Sequence, residues 1–327
     1  MSLADNVTKK YMQDNAHFAD LFNYYIYDGK AVINPDDLID KDPTELCILS
    51  NGKKAFSKQK IRDILKSCSI KTDGHTVFVL MGIENQSDIH YAMTIKNLLY
   101  DALNYAEQAD VITKKHRADK DIEGDEFLSG FAKTDTVTPV VTITLYWGRK
   151  SWDAATRLSD MFPEDTPEEI RALATDYKLN LVTPENISDF KKLNTELGDM
   201  LESIKRCDDS EMFKNMIAER NGHWIISREG ADLLNVLINA KIVIPDGERT
   251  VDMCVATKAL IEQGKTEGRA EGLAEGRAEG RAEGRAEGAD RVTKLYLHLM
   301  NNGQDIEMKK AMEDPDYREQ LLKTLNM

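Results

Sequence analysis

Two acids and an amide, Asp63, Glu84 and Gln86, stand in the pattern D-x20-E-x-Q. Carboxylates that meet at one edge of a sheet can hold a divalent cation. Such a cation lowers the pKa of a bound water and neutralises charge as a phosphodiester is attacked. A glutamine amide beside them cannot take the water's proton, so its use would be to orient that water. The same spacing arises by chance in many proteins and also fits two solvated acids at strand ends.

Such a site requires strands whose ends converge. Three apolar runs read as buried strands: residues 61–70, 76–83 (TVFVLMGI) and 139–147 (PVVTITLYW), the last two rich in β-branched residues. The turn Thr72-Asp73-Gly74 separates the first two, a hairpin signal. In an antiparallel pair, the start of one strand lies beside the end of the other, which makes Asp63 and Glu84 neighbours. Side chains alternate along a strand, so Glu84 and Gln86 share a face and Asn85 opposes them. Helical spacing of Phe18, Leu21, Phe22 and Tyr25 predicts a core-facing helix over residues 17–27. Met93, Lys96, Leu99, Tyr100 and Leu103 predict another within residues 89–113, and a short strand is expected at 178–182. The order helix, strand, strand, helix, strand points to an α/β domain with a mixed sheet.

The chain has 327 residues and a formal net charge of −14, which argues weakly against a general nucleic-acid binder. Distribution matters more than the sum. Between Asn51 and Thr72 seven cations surround a single acid, Asp63. A charge run is commonly a solvated face, but a phosphate backbone would also approach such a patch, with Lys58, Lys60, Arg62 and Lys66 as the candidate contacts. Hydrophobic residues at 41% and charged residues at 31% fit a folded globular protein. No apolar run approaches the roughly 18 residues of a membrane span, and the first twenty residues hold no secretory signal. No membrane association and a cytoplasmic location are expected. Cys47, Cys68, Cys207 and Cys254 are scattered without a CxxC pair, which fits reduced thiols.

Four zones can be separated: a domain at 15–206, a helical extension at 207–263 with a hydrophobic turn near Trp224, a repeat at 264–288, and a short helical segment at 289–327. In the repeat, glycine recurs every fourth residue and Arg-Ala-Glu-Gly dominates. A glycine in every turn costs about 1 kcal/mol each relative to alanine. Like charges fall four apart along each stripe, so an isolated helix here is expected to be marginal. A glutamate stripe on one copy can meet an arginine stripe on another, giving a homo-oligomer, and a flexible spacer is the alternative.

Several stretches resemble the Rpn family of recombination-promoting nucleases, also named as transposases, within the PD-(D/E)xK superfamily. They are Phe18-Ala19-Asp20-Leu21-Phe22-Asn23, Arg62-Asp63-Ile64-Leu65, Ile83-Glu84-Asn85-Gln86-Ser87, the helix from Met93 to Tyr100, and the strand from Pro139 to Gly148 with Trp152 after it. The resemblance covers about residues 17–206. It implies a PD-(D/E)xK nuclease-like mixed sheet flanked by helices, ahead of the helical C-terminal region that carries the repeat. It further implies Mg²⁺, with Mn²⁺ or Ca²⁺ as alternatives, on Asp63 and Glu84, DNA as partner, and Gln86 in the place usually held by lysine. Asn15 and Ala19 stand where the family has an aspartate and a lysine. Lys96 stands where arginine is common, and could supply the positive charge that Gln86 lacks. The functions implied are a metal-dependent endonuclease, or a nuclease fold that binds DNA or protein without cutting.

Overall fold

Helix α1 (Leu3–Met12) begins at Ser2, whose hydroxyl accepts from the Asp5 amide while the Asp5 carboxylate accepts from the Ser2 amide. This reciprocal cap satisfies two donors that a helix start leaves open. Helix α2 (Asn15–Tyr27) starts likewise at Asp14, which accepts from the amides of Ala16 and His17. The expected apolar face is buried at Phe18, Leu21 and Phe22. Gly29 ends the turn after α2 at φ +85°, where a Cβ would meet the Lys192 carbonyl oxygen at 2.5 Å. No other residue fits there.

The computed structural model describes residues 2–42, 44–51, 54–61, 63–72, 75–220 and 224–326. It divides into two units, residues 1–257 and 258–327. In the first, strands β1 (Leu38–Asp40), β2 (Thr44–Asn51), β3 (Lys54–Ile61), β4 (Ile64–Thr72) and β5 (His75–Gln86) precede helices α3 (Met93–Asp119) and α4 (Gly124–Ser129). Strand β6 (Val140–Tyr146), helix α5 (Glu168–Leu173) and strand β7 (Asn180–Val182) come next. A five-stranded mixed sheet has the order β1-β4-β5-β6-β7. The pairs β1–β4 and β4–β5 are antiparallel, and β5–β6 and β6–β7 are parallel. The parallel pairing follows from the long excursion through α3, since parallel strands need a crossover.

The sequence places the first strand of the hairpin at 61–70, whereas β4 runs from Ile64 to Thr72. Ile61 ends β3, which pairs with β2 as a separate two-stranded sheet. The chain therefore bends between two strands at the position of Asp63.

The two faces of the large sheet differ in chemistry. Ile64, Cys68, Met81, Ile83, Ile143, Leu145 and Trp147 pack into a core with Tyr11, Phe18, Phe22, Met200 and Leu201. The other face meets α3 through polar contacts: Asn97 Nδ2 donates to Thr144 Oγ1 at 3.0 Å, and Thr142 Oγ1 donates to Asp101 Oδ1 at 2.6 Å.

Helices α6 (Leu197–Arg206), α7 (Ser210–Glu219) and α8 (Arg228–Ile238) follow in this unit. The hydrophobic turn expected near Trp224 is strand β8 (Ile225–Ser227), paired with β9 (Thr250–Asp252). Met216, Trp224, Ile226, Leu233 and Leu234 join the same core. Helix α9 (Met253–Asn301) runs without a break through the repeat. Met253 and Cys254 are buried near its start, and Leu295 and Leu299 near its end. Those buried ends supply packing that the exposed residues 272–288 lack, so that stretch only has to propagate a helix already nucleated. Helices α10 (Asp305–Glu313) and α11 (Pro315–Thr324) close the second unit, where Leu295, Leu299 and Leu322 form a small core. Among the described residues, no helix is long and apolar enough to cross a membrane.

Candidate active site

Asp63 occupies the bend before β4, and Glu84 lies near the end of β5. Ile64 faces Ile83 in the antiparallel register, so the residue before Ile64 meets the residue after Ile83. The Asp63 amide donates to Glu84 Oε1 at 3.3 Å, and the Asn85 amide donates to Asp63 Oδ2 at 2.8 Å. Each acid is thus tied to the other's chain segment, as the alternation and the hairpin predict.

Glu84 is 0% exposed and pairs through Oε2 with Lys96 Nζ at 2.8 Å. Lys96 stands in the first turn of α3, on the polar side of the sheet. Asn85 points the other way, into the core, where its Oδ1 accepts from the indole of Trp147 at 2.9 Å. Gln86 Nε2 donates to the Asn85 carbonyl at 2.8 Å. Asp63, Glu84 and Lys96 therefore meet, and Gln86 is linked to them through Asn85.

Burial raises the pKa of the Asp63 carboxyl from its ordinary value. The Asn85 amide and the charges of Lys96 and Lys9 oppose that shift, and Asp5 adds to it. A buried carboxylate next to a second one favours neutralisation, by a proton or by a cation.

The expected DNA contacts fare differently. Lys66 departs from the expected exposed patch, being 1% exposed. Its ammonium donates to the Gln13 carbonyl at 2.9 Å, Asn15 Oδ1 at 2.6 Å and Asp40 Oδ1 at 2.7 Å, and lies 5.4 Å from the Phe18 ring centre. The reason is register. Lys66 pairs with Met81, so it falls on the core face of β4 beside Ile64 and Cys68. Asn15 is one of its partners. Arg62 and the side chains of Lys58 and Lys60 lie outside the described residues.

Sequence reasoning missed Trp147. Its signal was available, because an indole N–H at the end of an apolar strand must find a buried acceptor.

The donor set fits Mg²⁺. Two carboxylates offer hard oxygen ligands, and Mg²⁺ commonly takes one or two carboxylates with waters completing its shell. Among the described residues, no group of three or more His, Cys, Asp or Glu side chains could hold a metal, so such a site would rest on this pair.

No curated protein and no solved structure matches the chain. A family model described as "Putative transposase, YhgA-like" matches residues 5–221, about two thirds of the chain and the part that holds Asp63, Glu84, Gln86 and Lys96. The chain belongs to this YhgA-like transposase family.

Proposed function

We propose that the protein is a metal-dependent DNA endonuclease of PD-(D/E)xK type, acting in the cytoplasm. The observation that carries this reading is the meeting of Asp63, Glu84 and Lys96 where the start of β4 lies beside the end of β5, between the edge strands of the mixed sheet. Asp63 and Glu84 would hold Mg²⁺, with Mn²⁺ or Ca²⁺ as substitutes. When bound, the cation would supply an activated water and charge neutralisation at the phosphate. Gln86 would orient the water by hydrogen bonding. Lys96, already paired with Glu84, would place positive charge where lysine is more commonly found two residues beyond the acid. Lys58, Lys60 and Arg62 would meet the DNA backbone, without Lys66.

Supercoiled plasmid incubated with purified protein tests this reading. Nicking that needs Mg²⁺, stops with EDTA and is lost in Asp63→Ala is expected. A parent protein inert with every divalent cation, or an Asp63→Ala variant as active as the parent, would overturn it.

Two observations favour a second reading, a fold that binds DNA or protein without cutting. Glu84 already has Lys96 as counter-ion, and the Gln86 amide is turned to the backbone. DNA retention in a gel by a protein that never nicks would select it.

A further inference from the structure

We infer that Trp147 is a positioning residue for the Asp63–Glu84 pair, acting through Asn85. The inference rests on the proposed metal site and adds a residue outside the D-x20-E-x-Q pattern.

Trp147 grips the end of β5 twice. Its backbone N–H donates to the Gln86 carbonyl at 2.8 Å, and its indole N–H donates to Asn85 Oδ1 at 2.9 Å. Asn85 in turn holds the site with its backbone. Its N–H donates to Asp63 Oδ2, and its carbonyl accepts from the Gln86 amide. A shift of residue 85 would therefore move Asp63 and Gln86 together. Trp147 is itself fixed, being 1% exposed, with its ring edge-on to Tyr11 at 6.2 Å. Tyr11 stacks on His17 at 4.2 Å, so α1 and α2 brace the indole from below.

The chemistry of residue 85 supports a role beyond packing. Asn85 is 4% exposed, and its Nδ2 has no hydrogen-bond partner among the described residues. An orphan buried donor is costly, and leucine would fill similar space without one. Asparagine at this position costs stability on one atom while giving Trp147 its acceptor on the other. The amide's orientation is fixed because an indole N–H can only donate.

Three variants test the assignment: Trp147→Phe, which keeps a ring and loses the donor, Asn85→Leu, which loses the acceptor, and the two combined. The combined variant leaves no orphan at the contact and should recover most of the thermal stability that either single change loses. Two readouts follow Mg²⁺ across a concentration series: the rise in melting temperature, and plasmid nicking. Each variant, the combined one included, should need about tenfold more Mg²⁺ than the parent for half the effect in both readouts. A role in packing alone would restore the Mg²⁺ response together with stability in the combined variant. That result, or a half-maximal Mg²⁺ concentration equal to the parent's in any folded variant, overturns the inference. A parent that neither nicks nor gains stability with Mg²⁺ fails at the metal site itself, and this inference fails with it. A parent that gains stability with Mg²⁺ but does not nick removes only the nuclease reading, and the melting series still decides the role of Trp147.

Discussion

Nζ of Lys96 stands 2.8 Å from Oε2 of Glu84, a carboxylate with no exposed surface, and the lysine lies in the first turn of α3. A cation there opposes the helix dipole, so helix stability does not account for it, but the acid across the seam does. Lys96→Met leaves Glu84 without its ammonium. Because Lys96 is partly exposed, the cost should fall below that of a fully buried pair, at about 1–3 kcal/mol. Lys96→Arg should recover part of this. Urea midpoints at constant slope measure it, and an unchanged midpoint in Lys96→Met would show that the pair contributes nothing.

Asp63 gives the site a pH signature. Its folded pKa is raised by burial, so its contribution to stability is complete below the unfolded value near about 4 and is lost as pH rises through the folded value. Above the folded value and without divalent cation, the charged side chain is therefore a burden. Asp63→Asn should raise the melting temperature there by about 2–5 °C, and the gain should vanish at acid pH. Mg²⁺ should then stabilise the parent and leave the variant unmoved. Parallel stability curves from acid to neutral pH would contradict the assignment.

Gln86 can only donate or accept hydrogen bonds. Gln86→Ala should slow cleavage by about 10²-fold to 10³-fold, by analogy with losing one catalytic donor, while keeping the Mg²⁺ requirement. A rate equal to the parent's would place Gln86 outside the chemistry.

Local periodicity was the legible part of the sequence. The runs 76–83 and 139–147 gave β5 and β6, aromatic spacing gave α2, and strand alternation placed Glu84 and Asn85 on opposite faces. Lys66 was misread because one cation among seven carries no mark of its facing. Facing depends on register with β5, and register is a property of two strands rather than one. The separation of β3 from β4 at Asp63 was hidden for a related reason. No glycine or proline marks that break, and the run 61–70 remains apolar enough to read as one strand. Trp147 was read as the end of the strand 139–147 and lies one residue beyond β6, and its partner Asn85 is 62 residues away.

His116 provides a second pH signature, at the far end of α3. Its Nδ1 lies 2.7 Å from Asp121 Oδ1 and its Nε2 lies 2.9 Å from Asp135 Oδ2. A neutral imidazole can donate from one nitrogen only, so both bonds require the imidazolium. The bonds to Asp121 and Asp135 raise the His116 pKa. Its stabilising contribution is complete below the unfolded value near about 6.5 and is lost as pH rises through the folded value. Hydrogen exchange across residues 121–138 should quicken more than hydroxide catalysis alone explains as His116 deprotonates. The same acceleration in His116→Gln would sever that link.

The glycines of the repeat offer a simple stability test. A Cβ added at Gly272, Gly276, Gly280, Gly284 or Gly288 would meet no atom within 4 Å. Each Gly→Ala change should therefore stabilise the helix by about 0.5–1 kcal/mol. Far-ultraviolet circular dichroism of the substituted protein should show a helical signal that persists to higher temperature. A signal that melts as the parent's does would mean that these positions are not helical in solution.

The continuity of α9 through this repeat turns copy number into a mechanical setting. Each unit gained or lost would lengthen or shorten the helix by about 6 Å and rotate its far end by about 40°. Reach and heading would thus change together, in fixed proportion, as on the thread of a screw. About nine units would be needed to restore the original heading. Within residues 258–327, two chains differing by a single repeat would differ in the heading of α10 and α11 about the α9 axis more conspicuously than in length.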